Sequence, residues 1–132
     1  MSLNRIEAGD RRRRRSDDAI MALHYQLATA RTEGALDALV LVDDRGCLVA
    51  GAGAWPACEE LAAYAPLLAH PSAIGNTTVS SRIEALSGEV EVQTLTIDGG
   101  EVVLCGRGGG AVRRGSLERA AAGCMRILSG SA

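Results

Sequence analysis

The alternation of apolar and polar residues along the chain predicts a helix followed by a β-hairpin in its first third. Apolar residues recur every three or four positions between Ser16, a typical N-cap, and Gly34, a typical helix stop, so we predict an amphipathic helix there. Residues 36–42 (LDALVLV) are almost continuously apolar, as in a strand that is covered on both faces. The turn residues 43–46 (DDRG) and the apolar residues 47–50 complete a hairpin.

The middle of the chain predicts a second helix and a less regular segment. Residues 55–70 (WPACEELAAYAPLLAH) carry one apolar stripe at helical spacing, with Pro56 suited to the first helical position. Pro66 interrupts this stripe, so we predict a kinked helix or two short ones. Residues 77–84 have the β-branched character of an edge strand, although SSRIEAL (80–86) also suits a helical turn.

The last third predicts a second hairpin and a closing helix. Residues 89–97 (EVEVQTLTI) and 101–106 (EVVLCG) have the composition of two strands joined by a turn. The apolar residues of the first strand change sides near Gln93, and we predict a β-bulge at that point. Residues 107–115 (RGGGAVRRG) predict a loop, and Ser116 predicts the N-cap of the last helix.

These elements follow the order α-β-β-α-(β)-β-β-α, where the strand in brackets is the one predicted at residues 77–84. Their apolar stripes are buried together when helices cover an antiparallel sheet, so we predict an α+β fold with about five strands and three flanking helices. A length of 132 residues suits one domain. We place this domain at residues 16–132, after an arginine-rich tail at residues 1–15 that is disordered or leads into the first helix.

The tail carries five consecutive basic residues: Arg11, Arg12, Arg13, Arg14 and Arg15. All 14 basic residues of the chain are arginines, and without this run 9 remain against 16 acidic residues, which gives the rest of the chain a net charge of −7. Such an acidic body would repel a phosphate backbone, so we do not expect nucleic acid as a partner. The run is either a solvated tail or a docking arm for an acidic partner, including a second copy of the chain.

The expected location of the protein is the cytoplasm. The sequence has no apolar run that approaches the roughly 20 residues of a membrane span. Its N-terminus lacks the charged-then-apolar order of a signal peptide, because the arginine run leads into an amphipathic segment. The exclusive use of arginine as the basic residue, with abundant alanine and glycine, indicates a GC-rich bacterial gene.

The cysteines and histidines do not form a pattern that predicts catalysis. No two cysteines have metal-ligand spacing, and we expect all of them to be buried free thiols: Cys47, Cys58, Cys105 and Cys124. His24 lies near the apolar face of the first helix, and His70 lies at a helix end, where a partial positive charge is favourable. Asp43 and Asp44 are explained by the hairpin turn. We therefore expect no enzyme and no metal site.

The glycine-rich segment GRGGG (106–110) does not predict a cofactor site either. Its glycines do not have the spacing of a phosphate-binding loop, and the chain has no lysine to complete one. A helix that starts at Ser116 could still accept an anion with the help of Arg113 and Arg114. We expect no bound cofactor.

Four segments resemble the roadblock family, also called the dynein light-chain roadblock domain. They are ALVLVDDRGCLVAGA, EELAAYAPLLAH, LTIDGGEVVLCGRG and LERAAAGCMRIL, and the resemblance covers roughly residues 17–129. It implies a five-stranded antiparallel sheet with helices on both faces. It also implies dimers that form in part through an edge strand and the middle helix, and partners that are small Ras-like GTPases or larger assemblies.

On this resemblance, we expect a homodimer that recognises a small GTPase, or a scaffold subunit, without covalent chemistry. The middle helix corresponds to residues 58–70 and the edge strand to residues 77–84. The candidate interface residues are Glu59, Glu60 and Tyr64 on that helix and Arg82 on that strand. The alternative is a small-ligand sensor of the PAS or GAF type, which would need a cavity between the sheet and a helix, lined by polar groups.

Overall fold

The computed structural model describes residues 2–70, 85, 88–97 and 99–129, with side chains described from residue 17 onward. Within these ranges the chain forms an α+β fold with three helices and a four-stranded antiparallel sheet. The elements are α1 (Ser2–Gly34), β1 (Leu36–Val42), β2 (Leu48–Gly53), α2 (Trp55–Ala69), β3 (Val90–Ile97), β4 (Gly100–Gly108), a 3₁₀ turn (Gly110–Val112) and α3 (Arg113–Leu128). The strand predicted at residues 77–84 lies outside the described residues.

The sheet has the order β2-β1-β4-β3, and every neighbouring pair is antiparallel. β1 lies in the middle of the described sheet and is buried along its whole length except at Asp37. This confirms the prediction from its continuous apolar sequence. A central strand that is covered on both faces needs apolar residues at odd and even positions alike.

Two apolar layers lie on opposite faces of the sheet. The layer under α1 and α3 is rich in leucine and includes Leu23, Leu27, Leu39, Leu41, Leu95, Leu104 and Leu117. The layer under α2 consists mostly of smaller residues and includes Ala38, Val40, Val42, Cys58, Leu61, Ala65, Val103 and Cys105. Because packing density is nearly constant in protein interiors, the smaller residues let the alanine-rich α2 lie close to the sheet.

The bulge predicted near Gln93 is wrong. β3 pairs with β4 in one unbroken register from Val90 opposite Arg107 to Ile97 opposite Gly100. Val90 belongs to the α2 layer, whereas Ile97 packs against the α1 and α3 layer. The apolar residues of β3 thus change sides because the two faces are covered by different helices at different points along the strand. The register irregularities that do occur lie in the pairing of β1 with β2, near Val42, and in its pairing with β4, near Asp37.

Several element ends differ from the sequence predictions. α1 begins at Ser2, so Ser16 lies inside the helix instead of at its N-cap. α2 is one helix with Pro66 inside it. β4 continues to Gly108, and α3 begins at Arg113, so that Ser116 is a buried helical residue and not a cap. Among the described helices, none combines the length and the apolar content needed to cross a membrane.

At the junction between α1 and β1, the residue that ends the helix is not Gly34, which was predicted as the helix stop. The residue with the left-handed backbone that ends the helix is Ala35, with a φ of 52°. Gly34 is buried, and a Cβ atom there would lie only 2.8 Å from the Cβ of Ser116. Gly34 is therefore required for close packing of α1 against α3.

Replacing Ala35 with glycine is expected to stabilise the protein by about 0.5–1 kcal/mol. The left-handed conformation costs alanine about 1–2 kcal/mol, whereas glycine adopts it freely but loses about 0.5–1 kcal/mol more in backbone entropy on folding. Chemical denaturation of Ala35→Gly beside the wild type measures the difference. The matched variant Gly34→Ala should lose about 2 kcal/mol, because its Cβ collides with Ser116. A Gly34→Ala variant as stable as the wild type, or an Ala35→Gly variant less stable than it, would contradict this description of the junction.

Candidate protein interface

The surface of α2 opposite the sheet is the first candidate for an interface. Cys58, Leu61, Ala62 and Ala65 face the sheet and are buried. The residues on the other side form what we call the α2 outer face: Pro56, Glu59, Glu60, Ala63 and Leu67. Trp55 stands at its N-terminal end with 58% of its surface exposed. The α2 outer face therefore combines small apolar residues with two carboxylates.

The three predicted interface residues of α2 differ in their surroundings. Glu59 is exposed. Tyr64 is half-buried and packs against the apolar layer under α2, so only part of its ring is accessible. Glu60 lies 3.6 Å from Nη1 of Arg107 and forms an ion pair. The fourth predicted residue, Arg82, lies outside the described residues.

Arg107 contacts the candidate interface through Glu60 and was not predicted from the sequence. Its side chain is 23% exposed and bridges Glu60 on α2 and Asp37 on β1, whose Oδ2 lies 3.8 Å from Arg107 Nε. In the sequence, the feature that could have indicated its role is that Arg107 stands between two glycines. Gly108 has a φ of 86°, and a Cβ there would lie 3.0 Å from Asp37, so the glycine lets β4 approach the start of β1. The cluster couples α2 to the sheet at this end.

The arginines at the start of α3 are also held by a carboxylate. Arg113 Nε lies 3.9 Å and Arg114 Nε 3.3 Å from the carboxylate of Glu91 on β3. Arg113 further donates a hydrogen bond from Nη1 to the carbonyl of Gly108, at 3.1 Å. An anion site at Ser116 is therefore wrong, because the helix begins three residues earlier and Glu91 already compensates the charge.

The histidines and the hairpin aspartates take part in local structural contacts. Nδ1 of His24 lies 3.1 Å from the carbonyl oxygen of Gly51, so the ring covers the backbone of β2. His70 donates from Nε2 to Glu101 at 2.7 Å and joins the end of α2 to β4. Asp43 Oδ1 accepts hydrogen bonds from the amides of residues 45 and 47, both at 2.9 Å, which fixes the hairpin turn.

Three of the four cysteines are buried, and the prediction is wrong for Cys47, which is exposed. Burial raises the pKa of Cys105 to about 12 and that of Cys124 to about 11. The pKa of Cys58 is also raised, mainly by burial. Among the described residues, no group of three or more histidines, cysteines, aspartates or glutamates could hold a metal ion.

In the folded protein, only Cys47 is expected to react rapidly with a thiol reagent at pH 8. A thiolate is the reactive form, and the other thiols are both covered and kept protonated by burial. Absorbance titration with an aromatic disulfide should count one thiol in buffer and four in denaturant. A Cys47→Ser control should count none and three. A second fast thiol in buffer would contradict the buried placement.

The free energy of unfolding is expected to fall as the pH rises above about 9. In the unfolded chain the thiols of Cys105 and Cys124 lose their protons near their ordinary pKa of 9.0, whereas the folded protein keeps them to about 12 and 11. The folded state thus binds more protons in this range, and each additional pH unit favours unfolding. Thermal melts from pH 7 to 10.5 measure the slope, which should be smaller in Cys105→Ala. An equal slope in both proteins would contradict the thiol contribution.

Two open depressions lie on the described surface. One follows α1 and is lined by Tyr25, Ala28, Thr29, Thr32 and Glu33. The other lies between the hairpin turns and the end of α3, and is lined by Asp43, Asp44, Ile97, Gly100, Glu101, Val102 and Leu128. The sensor alternative needs a cavity between the sheet and a helix that is lined by polar groups, whereas both of these depressions are open to the surface.

Comparison with protein-family models gives no match, and comparison with curated proteins gives none. Among solved structures, the chain is similar to MglB of Myxococcus xanthus, a protein of the roadblock family. The sequence identity is 16% and the TM-score is 0.50, over 82% of this chain and 88% of that one. The chain has a roadblock-like fold.

In this roadblock-like fold, α2 covers one face of the sheet, and α1 and α3 cover the other. β3 and β2 are the two edge strands of the described sheet. The α2 outer face is therefore turned away from the sheet, on the opposite side of the domain from α1 and α3.

Proposed function

We propose that this protein is a homodimeric, roadblock-like partner of a small Ras-like GTPase, and that it acts by surface recognition without covalent chemistry. The observation that carries the proposal is the roadblock-like fold over 82% of the chain. The family resemblance then suggests the class of partner. A fold alone does not determine a function, so the proposal also rests on the composition of the α2 outer face.

The α2 outer face has the composition of a protein interface. Trp55 is the type of residue that most often dominates binding energy, because it buries a large apolar area on association. Ala63 is small and exposed, and it allows another backbone to approach closely. Glu59 stands at the side of this surface and remains the predicted residue best placed to contact a partner. Glu60 contributes mainly by holding Arg107 in place.

The central experiment is a binding titration of the purified chain against the Ras-like GTPases encoded in the same genome. Each GTPase is loaded with GDP or with a non-hydrolysable GTP analogue, and binding is measured by interferometry. A micromolar dissociation constant in one nucleotide state, at least tenfold weaker in the other, supports the proposal. No binding in either state overturns the GTPase as partner.

The dimer part of the proposal is tested by an arginine on the α2 outer face. Ala63→Arg places a charge on a surface that would be buried by dimerisation, and it should lower the assembly state in a native mass spectrum. The matched control is Ala122→Arg on α3, which is also an exposed helical alanine. The same spectra test the sensor alternative, because a stoichiometric small molecule bound to the purified chain would overturn the recognition function.

A further inference from the structure

α1 has a second apolar stripe on the side that faces away from the core. Leu23 and Leu27 point into the core and are fully buried. Met21 and Tyr25 are 69% and 77% exposed, and Ala28 follows at the next turn of the same side. At about 100° per residue, this side is rotated by roughly half a turn from the buried one. Among the described residues, none covers these exposed apolar side chains.

We call Asp18, Met21, Tyr25, Ala28 and Thr32 the α1 outer stripe. The spacing of its members alternates between three and four residues, which is the spacing of helices that pair side by side. Beside Tyr25 the surface forms an open depression along Ala28, Thr29 and Thr32. Three of its five lining residues, Ala28, Thr29 and Thr32, have short side chains, so a large side chain from a second helix can enter it. The α1 outer stripe thus combines projecting residues and a groove to receive them.

We propose that the α1 outer stripe is a second self-association surface, on which two copies of this chain pair antiparallel about a two-fold axis near Tyr25. The stripe is self-complementary in that orientation, as a two-fold interface must be. Pairing centred on Tyr25 sets Met21 of one copy against the groove beside Ala28 of the other. It also sets the carboxylate of Asp18 opposite the hydroxyl of Thr32, which can donate a hydrogen bond to it.

Charge selects the antiparallel orientation. Residues 11–15 are all arginines and lie on the same helix, about one to two turns before the stripe. Parallel pairing would bring the two arginine runs together, and like charges repel. Antiparallel pairing carries each run toward the C-terminal end of the partner helix, where exposed Glu33 and the negative end of the helix dipole lie. The rest of the chain has 9 arginines against 16 acidic residues, so the arginine run of one copy is attracted to the acidic body of the other, which favours the same arrangement.

The inference goes beyond the proposed function and does not depend on a GTPase. α1 and α2 cover opposite faces of the sheet, so both self-association surfaces can be occupied at the same time. Two different two-fold contacts on one chain build assemblies larger than a dimer.

The test is a site-directed cross-link at the two-fold axis in the full-length chain. Tyr25→Cys in a Cys47→Ser background carries one exposed thiol on α1, because the other cysteines are buried. A short bismaleimide should convert most of it to a covalent dimer at micromolar concentration. The matched control, Glu118→Cys in the same background, carries its thiol on the exposed side of α3 and should stay monomeric on denaturing gels. Equal cross-linking of the two variants overturns the proposal.

A second variant measures the strength of the contact. Tyr25→Arg should weaken the association through α1 at least about 30-fold, as expected for a central aromatic residue of an interface, without unfolding a chain in which Tyr25 is exposed. Native mass spectra should show the loss of the higher assembly and retention of the contact that depends on Ala63. An assembly that Tyr25→Arg leaves unchanged overturns the inference. If the same variant also loses binding to phosphatidylserine vesicles, the stripe is assigned to a membrane surface instead.

The two self-association surfaces fail independently. The cross-link at Tyr25→Cys should persist when Ala63→Arg is added, because that substitution lies on the opposite face of the sheet. If adding Ala63→Arg abolishes the Tyr25→Cys cross-link, the α1 contact is a consequence of α2 dimerisation and the inference is wrong. If neither Tyr25→Arg nor Ala63→Arg changes the mass of the assembly in native mass spectra, the proposed dimer fails as well.

Discussion

Replacing Gly53 with alanine is expected to lower the free energy of unfolding by about 3 kcal/mol. Gly53 ends β2 with a φ of 117°, a backbone conformation that side chains rarely adopt. A Cβ atom there would lie 2.5 Å from the carbonyl oxygen of Asp37 and 3.0 Å from the Cα of Ala38. Both are backbone atoms of β1, which pairs with β2 at this point, so they cannot move without breaking the sheet. Chemical denaturation with circular dichroism measures the loss.

Gly110→Ala separates the two causes of this loss. Gly110 also has a positive φ, of 55°, but no atom lies within 4 Å of a Cβ built on it. Alanine at this position should cost only about 1 kcal/mol, which is the cost of the left-handed conformation. If both variants lose the same stability, the close approach of β2 to β1 is not what requires glycine at Gly53.

Truncating Leu104 to alanine is expected to cost about 3–4 kcal/mol. Leu104 is fully buried on β4, which lies between β1 and β3, and it packs in the leucine-rich layer under α1 and α3. Truncation removes apolar contacts and leaves a cavity, since neighbouring strands and helices prevent the site from collapsing. The measurement is the denaturation midpoint at constant slope, which reports stability without a change in the unfolded state.

Val102→Ala is the matched control for this truncation. Val102 lies two residues before Leu104 on the same face of β4, but it is only half-buried. Its truncation should cost about 1 kcal/mol, because solvent fills part of the space. A loss for Leu104→Ala that is no larger than this would show that the leucine-rich layer does not carry the stability of the domain.

The proposed interface and the stability of the sheet are linked through Arg107. Its contacts with Glu60 and Asp37 join the α2 outer face to the end of β1 that Gly53 approaches. The position of α2, and therefore of Ala63, depends on backbone contacts at that end of the sheet. Variants of Gly53 should for this reason be judged by stability before any loss of partner binding is attributed to the interface.

The location of the strands could be predicted from the sequence where burial imposed a clear pattern. The bounds of β1 are those predicted, because a strand buried on both faces must be apolar throughout. The ends of the helices could not be predicted equally well. Ser16 and Ser116 have the chemistry of caps, yet the helices continue past both, and Ser116 is instead packed against Gly34. Such packing depends on residues that are distant in sequence.

The candidate interface likewise combines features that could be predicted from the sequence with features that could not. Glu59 was proposed from the family resemblance, and the structure places it on the exposed side of α2, in agreement with the period of the apolar residues around it. The ion pair of Glu60 with Arg107 joins two segments that only the sheet brings together. The exposed stripe of α1 was missed because sequence periodicity identifies apolar positions but does not decide which of two stripes is covered.

The sequence by itself determined the class of the fold, the existence of each described strand and the burial of β1, since these follow from local composition and from the period of apolar residues. The tertiary structure decided where the helices end, on which face of the sheet the apolar side chains of each half of β3 lie, and which of the charged residues form ion pairs. It also left the α1 outer stripe exposed, because the core of one chain needs only one side of that helix. These features depend on contacts between distant segments, and such contacts exist only in the folded chain.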